Sequence, residues 1–154
     1  MSEVITGALL ANRNGTKLVI TSAVTSSSIP NNTQTGGAIT GAADGPLILE
    51  EITVNTDGTG LAAPTNIEFS VDNANGSNSA AKPIGVEVIA SFGANLTIRS
   101  ADFTSHLLPI LLEDGKKVYI HGDDAAGTGA GVAQVTMVFR RAADGATIAA
   151  ADLP

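Results

Sequence analysis

Few side chains in this chain of 154 residues could do chemistry. There is no cysteine, which excludes thiolate catalysis, disulfides and Cys-ligated metal sites. The two histidines, His106 and His121, are too few for a three-histidine metal centre and leave little material for a Ser-His-Asp triad. We therefore predict no catalytic residues, no cofactor and no enzymatic activity.

One short stretch has the composition of a metal site. Residues His121, Asp123 and Asp124 offer one imidazole and two carboxylates that could gather around a divalent cation in a turn. A solvated turn at the end of a strand explains the same residues without a ligand, and no second cluster of ligands is apparent. We predict the turn and no metal site, and keep a bound cation as the alternative.

Two further patterns have structural explanations. The glycine run 127–131 comes before a strand, whereas a phosphate-binding loop follows a strand and opens a helix, so we predict a flexible connection. The pair Glu50 and Glu51 interrupts an alternating apolar pattern between Leu47 and Val54. Because neighbouring side chains on a strand point to opposite faces, a β-bulge explains the pair better than a catalytic carboxylate pair does.

The elements that would position these residues are strands. Alternation of apolar and polar residues with period two is clear in Asn66–Asp72 and returns along much of the chain. Small residues, 17 glycines and several Asx-Gly pairs favour hairpins over helices. The predicted strands are residues 4–10, 17–23, 46–54, 66–72, 84–92, 96–99, 106–112, 117–121 and 133–140. Because Pro109 has no backbone N–H to donate, residues 106–112 are predicted to be an edge or bulged strand.

Three polar stretches are predicted as long loops: residues 26–45, 73–82 and 122–131. The first is unusually long for a compact domain, which indicates a functional, disordered or partner-bound segment. We predict one all-β domain over residues 1–154, a jelly-roll-like sandwich of eight or nine antiparallel strands. Residues 1–10 and 142–154 are candidate terminal arms, and the second of them is alternatively a final strand.

Charge and composition exclude several partners. The net charge is −7 and the isoelectric point about 4.5, which disfavours binding to nucleic acid. No signal peptide is visible, and the longest aliphatic run, residues 107–112, is broken by a proline, so we expect neither export nor a membrane partner. Sugar-binding platforms need exposed aromatic rings, and the chain has one tyrosine and no tryptophan.

Residues 108–122 form a strand-turn-strand pattern around Asp114-Gly115, followed by a small-residue loop and a strand that ends at Arg140-Arg141. This third of the chain resembles the C-terminal half of capsid decoration, or cement, proteins of tailed bacteriophages. The resemblance implies a β-sandwich that forms a homotrimer and binds the major capsid protein on the outer surface of the virion. It also implies a structural role, and assembly in the host cytoplasm fits the missing signal peptide.

The sequence suggests where contacts would lie. Residues 26–45 and 1–10 are the candidates for capsid contacts, and the strand 132–141 is the candidate for the face between subunits. Arg140 and Arg141 are solvated strand ends or, alternatively, partners for carboxylates of a neighbouring subunit. Two rival functions stay open: a phage fibre or adhesive module that binds a host glycan or receptor, and a hydrolase that depends on His121.

Overall fold

The structure is a computed structural model that describes residues 17–31, 37–72, 83–123 and 126–150. The predicted strand 4–10 and the predicted loop 73–82 lie outside these residues, as does the candidate arm 1–10. The described part contains eleven strands and three short 3-10 helices. The strands are β1 (Lys17–Thr25), β2 (Thr40–Asp44), β3 (Leu47–Thr56), β4 (Asn66–Asp72), β5 (Pro83–Val88), β6 (Thr97–Arg99), β7 (Ser105–His106), β8 (Ile110–Leu112), β9 (Lys117–Gly122), β10 (Val132–Arg141) and β11 (Thr147–Ala150). The 3-10 helices are Ser26–Ser28, Ile89–Phe92 and Ser100–Asp102.

The first sheet has five antiparallel strands, in which β10 lies between β1 and β3. The long strand β3 pairs on its other edge with β8 near its start and with β6 near its end. Where β3 meets β10, Val138 pairs with Glu51 and Phe139 with Leu49, so Glu50 is left over in the register. The bulge predicted at Glu50-Glu51 is therefore confirmed, and it returns Leu49 and Ile52 to the same buried face.

The second sheet has the order β7-β5-β4-β9, again antiparallel. A two-stranded ribbon of β2 and β11 continues it beyond β9. The amide of Ile39 donates to the carbonyl of Val118 at 2.8 Å, and the amide of Ala43 donates to the carbonyl of Lys116 at 2.9 Å. These bonds satisfy backbone groups that would otherwise stay unpaired along β9.

The core lies between the two sheets and follows from the alternation in the sequence. Alternate residues of each long strand are buried, for example Ile52, Phe69, Ile120 and Met137, which have 0–1% of their surface exposed. Their neighbours in sequence point away from the core, as the pleat of a strand requires. The prediction of an all-β sandwich is confirmed, with more and shorter strands than the nine expected.

The predicted long loop 26–45 is wrong for its described residues. Ile29 and Ile39 are fully buried, residues 40–44 form β2, and the Thr40 hydroxyl accepts the amide of Val118 at 2.9 Å. The segment is packed against its own chain because the burial of two isoleucines contributes more free energy than the conformational entropy of a solvated loop would. These buried side chains cannot contact a capsid.

Two other boundaries differ from the predictions. Residues 84–92 turn from β5 into a 3-10 helix at Ile89, and residues 106–112 are split into β7 and β8 around Pro109. In the candidate arm 142–154, residues 147–150 form β11 and pair with β2. For this part of the tail the structure therefore supports the alternative of a final strand.

The glycine run 127–131 is not a flexible connection where the structure describes it. The amide of Gly127 donates to the carbonyl of Ile29 at 2.9 Å, and the carbonyl of Gly131 accepts the amide of Ser26 at 2.8 Å. A Cβ on Gly127 would collide with the backbone of Ser26, and one on Gly131 with the backbone of Gly60. Gly127 and Gly131 are needed for close backbone approach.

Candidate functional site

The two histidines do not form a common site. His106 is exposed on β7, whereas His121 is 3% exposed on β9, and β5 and β4 lie between these strands. The Asp123 carboxylate accepts the amide and the side-chain NH₂ of Asn66, both at 2.9 Å, and so ties the end of β9 to the start of β4. Within the described ranges no three potential ligands lie close enough to hold a metal ion, and Asp124 is outside them. A turn without a bound cation therefore stays a prediction.

Glu68 lies directly opposite His121 in the register of β4 and β9. Burial raises the pKa of the Glu68 carboxyl above its usual range, and the nearby charge of Asp123 raises it further. The ring of His121 also stacks on that of Tyr119, with 6.0 Å between the centroids. The half-buried Glu68 and the buried Tyr119 and His121 therefore lie together where β4 pairs with β9.

Glu87 is a second buried carboxylate, with 5% of its surface exposed. Its Oε1 accepts the amide of Val88 at 2.8 Å and the hydroxyls of Ser91 at 2.9 Å and Thr104 at 3.1 Å, and its Oε2 accepts the amide of Thr104 at 2.6 Å. Burial opposes ionisation, but these four hydrogen bonds outweigh it and hold the pKa of Glu87 below its usual value. Through these hydrogen bonds the carboxylate holds two segments against the end of β5: the 3-10 helix Ile89–Phe92 and the residue before β7, Thr104.

We expect the Glu87→Gln variant to lose about 1–3 kcal/mol of unfolding free energy at pH 7, because either orientation of the amide turns its NH₂ toward a backbone N–H. A lowered pKa in the folded state means that the ionised carboxylate stabilises the fold above its ordinary pKa of 4.5 and loses this effect as the pH falls through the folded value. Urea unfolding at several pH values measures the difference.

The difference in unfolding free energy between wild type and Glu87→Gln should be largest at pH 7 and should decrease below pH 4.5. The Ser91→Ala variant is the control, since it removes one of the four hydrogen bonds and should cost less. A gap that stays constant, or widens, on acidification would contradict the role given to the carboxylate.

The outward side of the five-stranded sheet is an open surface. It is formed by alternate residues of β1, β10 and β3, and Val19 is 61% exposed in the complete chain. We call it the threonine face and define it by Val19, Thr21, Thr53, Gln134, Thr136 and Val138, with one charged residue, Glu51, opposite Val138. Thr21, Thr136 and Thr53 stand in one row across three strands.

Charges lie at the border of the threonine face. Glu50 binds both Lys17 and Arg140 at 3.0 Å, and these two hydrogen bonds lower the pKa of its carboxyl. The structure therefore gives Arg140 a carboxylate partner in its own chain, and a further partner in a neighbouring subunit stays a prediction. Arg141 is half-buried at the end of the same strand. The candidate intersubunit strand Val132–Arg141 is central in its sheet, so only its outward side chains can meet a partner.

Other large apolar side chains are exposed around Pro109, and Leu111, which pairs with Ile48 next to Arg140, lies on the outward side of the five-stranded sheet. Leu107 is 65% and Leu111 50% exposed, on either side of Pro109. The sequence predicted only an edge or bulged strand for this aliphatic run, and it pointed to the strand 132–141 but not to the residues of β1 and β3 that complete the threonine face. The signal that could have found the face is the lack of charge at the middle outward positions of β1 and β10, between Lys17 or Arg140 at one end and the other end of each strand.

The fold and this open face define the class of the protein as a β-sandwich with an exposed sheet. The chain is similar in fold to a chain in the capsid of Ralstonia phage GP4, with a TM-score of 0.50 and 14% sequence identity over 85% of this chain and 88% of that one. A chain of the cyanophage Pam1 capsid asymmetric unit aligns with a TM-score of 0.48 and 17% identity, over 83% and 86% of the two chains.

No protein-family model matches the chain, and no curated protein matches it in sequence. In the part of the chain that the structure describes, no helix is long and apolar enough to cross a membrane.

Proposed function

We propose that the chain is a structural protein of a phage virion, a decoration protein that forms a trimer and stabilises the major capsid shell from its outer surface. The observation that carries the proposal is the threonine face, an open and nearly uncharged sheet surface on an otherwise acidic chain. Such a surface is suited to contact with protein rather than to chemistry. The similar fold of a chain in the GP4 capsid supports this setting.

The charge of the chain supports a position outside the shell. A net charge of −7 would be repelled by packaged DNA, whereas it is tolerated on the outer surface of a particle. A decoration protein acts by holding shell subunits together, and three weak contacts made by one trimer combine into durable attachment. No bond needs to be made or broken.

The alternative of a glycan-binding fibre or adhesive module has less support. Tyr119, the one tyrosine, is 4% exposed and stacks on His121, so it cannot offer its ring to a sugar. The hydrolase alternative needs His121 to be accessible, and its side chain is 3% exposed.

The test is add-back to particles. Virions of the source phage, purified with and without the gene for this chain, are compared by mass spectrometry and by thermal release of DNA. We expect the chain in the first particles only, earlier release of DNA from the second, and saturable binding when purified chain is added to them. Absence from purified virions, or no saturable binding to the depleted shells, would contradict the proposal, and binding to a glycan array instead would favour the adhesive module.

A further inference from the structure

We draw no further inference here: the strongest candidate, the exposed apolar patch of Leu107 and Leu111 on either side of Pro109, where the chain passes from β7 into β8, carries nothing because nothing in the described part of the structure shows what covers it.

Discussion

Gly131→Ala should lower the free energy of unfolding by about 3 kcal/mol, or prevent folding if the native stability is small. A Cβ at this position would lie 2.6 Å from the carbonyl carbon of Gly60, closer still to its oxygen, and 3.0 Å from the Ser26 hydroxyl. The colliding atoms of Gly60 belong to the backbone, so no side-chain rotation can relieve the contact. Urea denaturation followed by circular dichroism measures the loss.

The backbone around Gly131 has little room to move. The amide of Ser26 donates to the Gly131 carbonyl at 2.8 Å, and the Asp57 carboxylate accepts the amides of Gly60 at 2.8 Å and Val132 at 3.0 Å. Hydrogen bonds from the backbone amides of Thr59, Gly60 and Val132 lower the pKa of Asp57. A shift large enough to admit a methyl group would break several of them at once.

Gly58→Ala is the matched control for this prediction. Gly58 lies in the same region, and a Cβ on it would meet no atom within 4 Å. Its φ is outside the left-handed region, so alanine is not strained there. We expect its unfolding free energy to change by less than about 1 kcal/mol. Equal stability of Gly131→Ala and Gly58→Ala would contradict the close approach of residues 131 and 60.

The long strands could be predicted because their signal is local. Polar and apolar residues alternate along the whole of Asn66–Asp72, and the parity change at Glu50-Glu51 shows a bulge without reference to any partner strand. Turns followed from residue types in the same way: Gly115 and Gly145, each after an aspartate, have φ values of 77° and 78°.

The shorter elements could not be predicted because distant residues decide them. Thr40–Asp44 contains no alternating apolar pattern and becomes a strand through Ala43, Thr40 and their bonds to β9 and β11. The run 127–131 has the composition of a flexible loop, and its order comes from backbone groups at residues 26, 29 and 60. Sequence spacing contains no information on such approaches.

The candidate surface was hidden for a related reason. The outward residues of a half-buried strand are normally solvated, and Thr21 or Thr136 taken singly is an ordinary exposed threonine. Only the pairing of β1, β10 and β3 places Thr21, Thr136 and Thr53 in one row. The register of three strands that are distant in sequence brings these separate residues together into one face.

Phe69→Ala should lower the unfolding free energy by about 3–5 kcal/mol. Phe69 has no exposed surface, and its ring stacks on that of Phe103 with 5.6 Å between centroids and 7° between planes. Phe103 in turn meets the edge of Phe92 at 6.4 Å. Removing the first ring leaves a cavity beside the other two and ends a stacking interaction.

The surroundings of Phe69 limit how far the core can close over that cavity. Gly85 pairs with Phe69 in the neighbouring strand, and a Cβ on Gly85 would lie 2.9 Å from the ring of Phe103, so the aromatic rings fill the space above a bare backbone. Phe69→Leu should therefore cost clearly less than Phe69→Ala, because it keeps most of the volume. Leu107→Ala, at a side chain that is 65% exposed, should change stability by no more than about 0.5 kcal/mol. Equal losses for Phe69→Ala and Leu107→Ala in chemical denaturation would place Phe69 outside the core and contradict the packing of the two sheets described here.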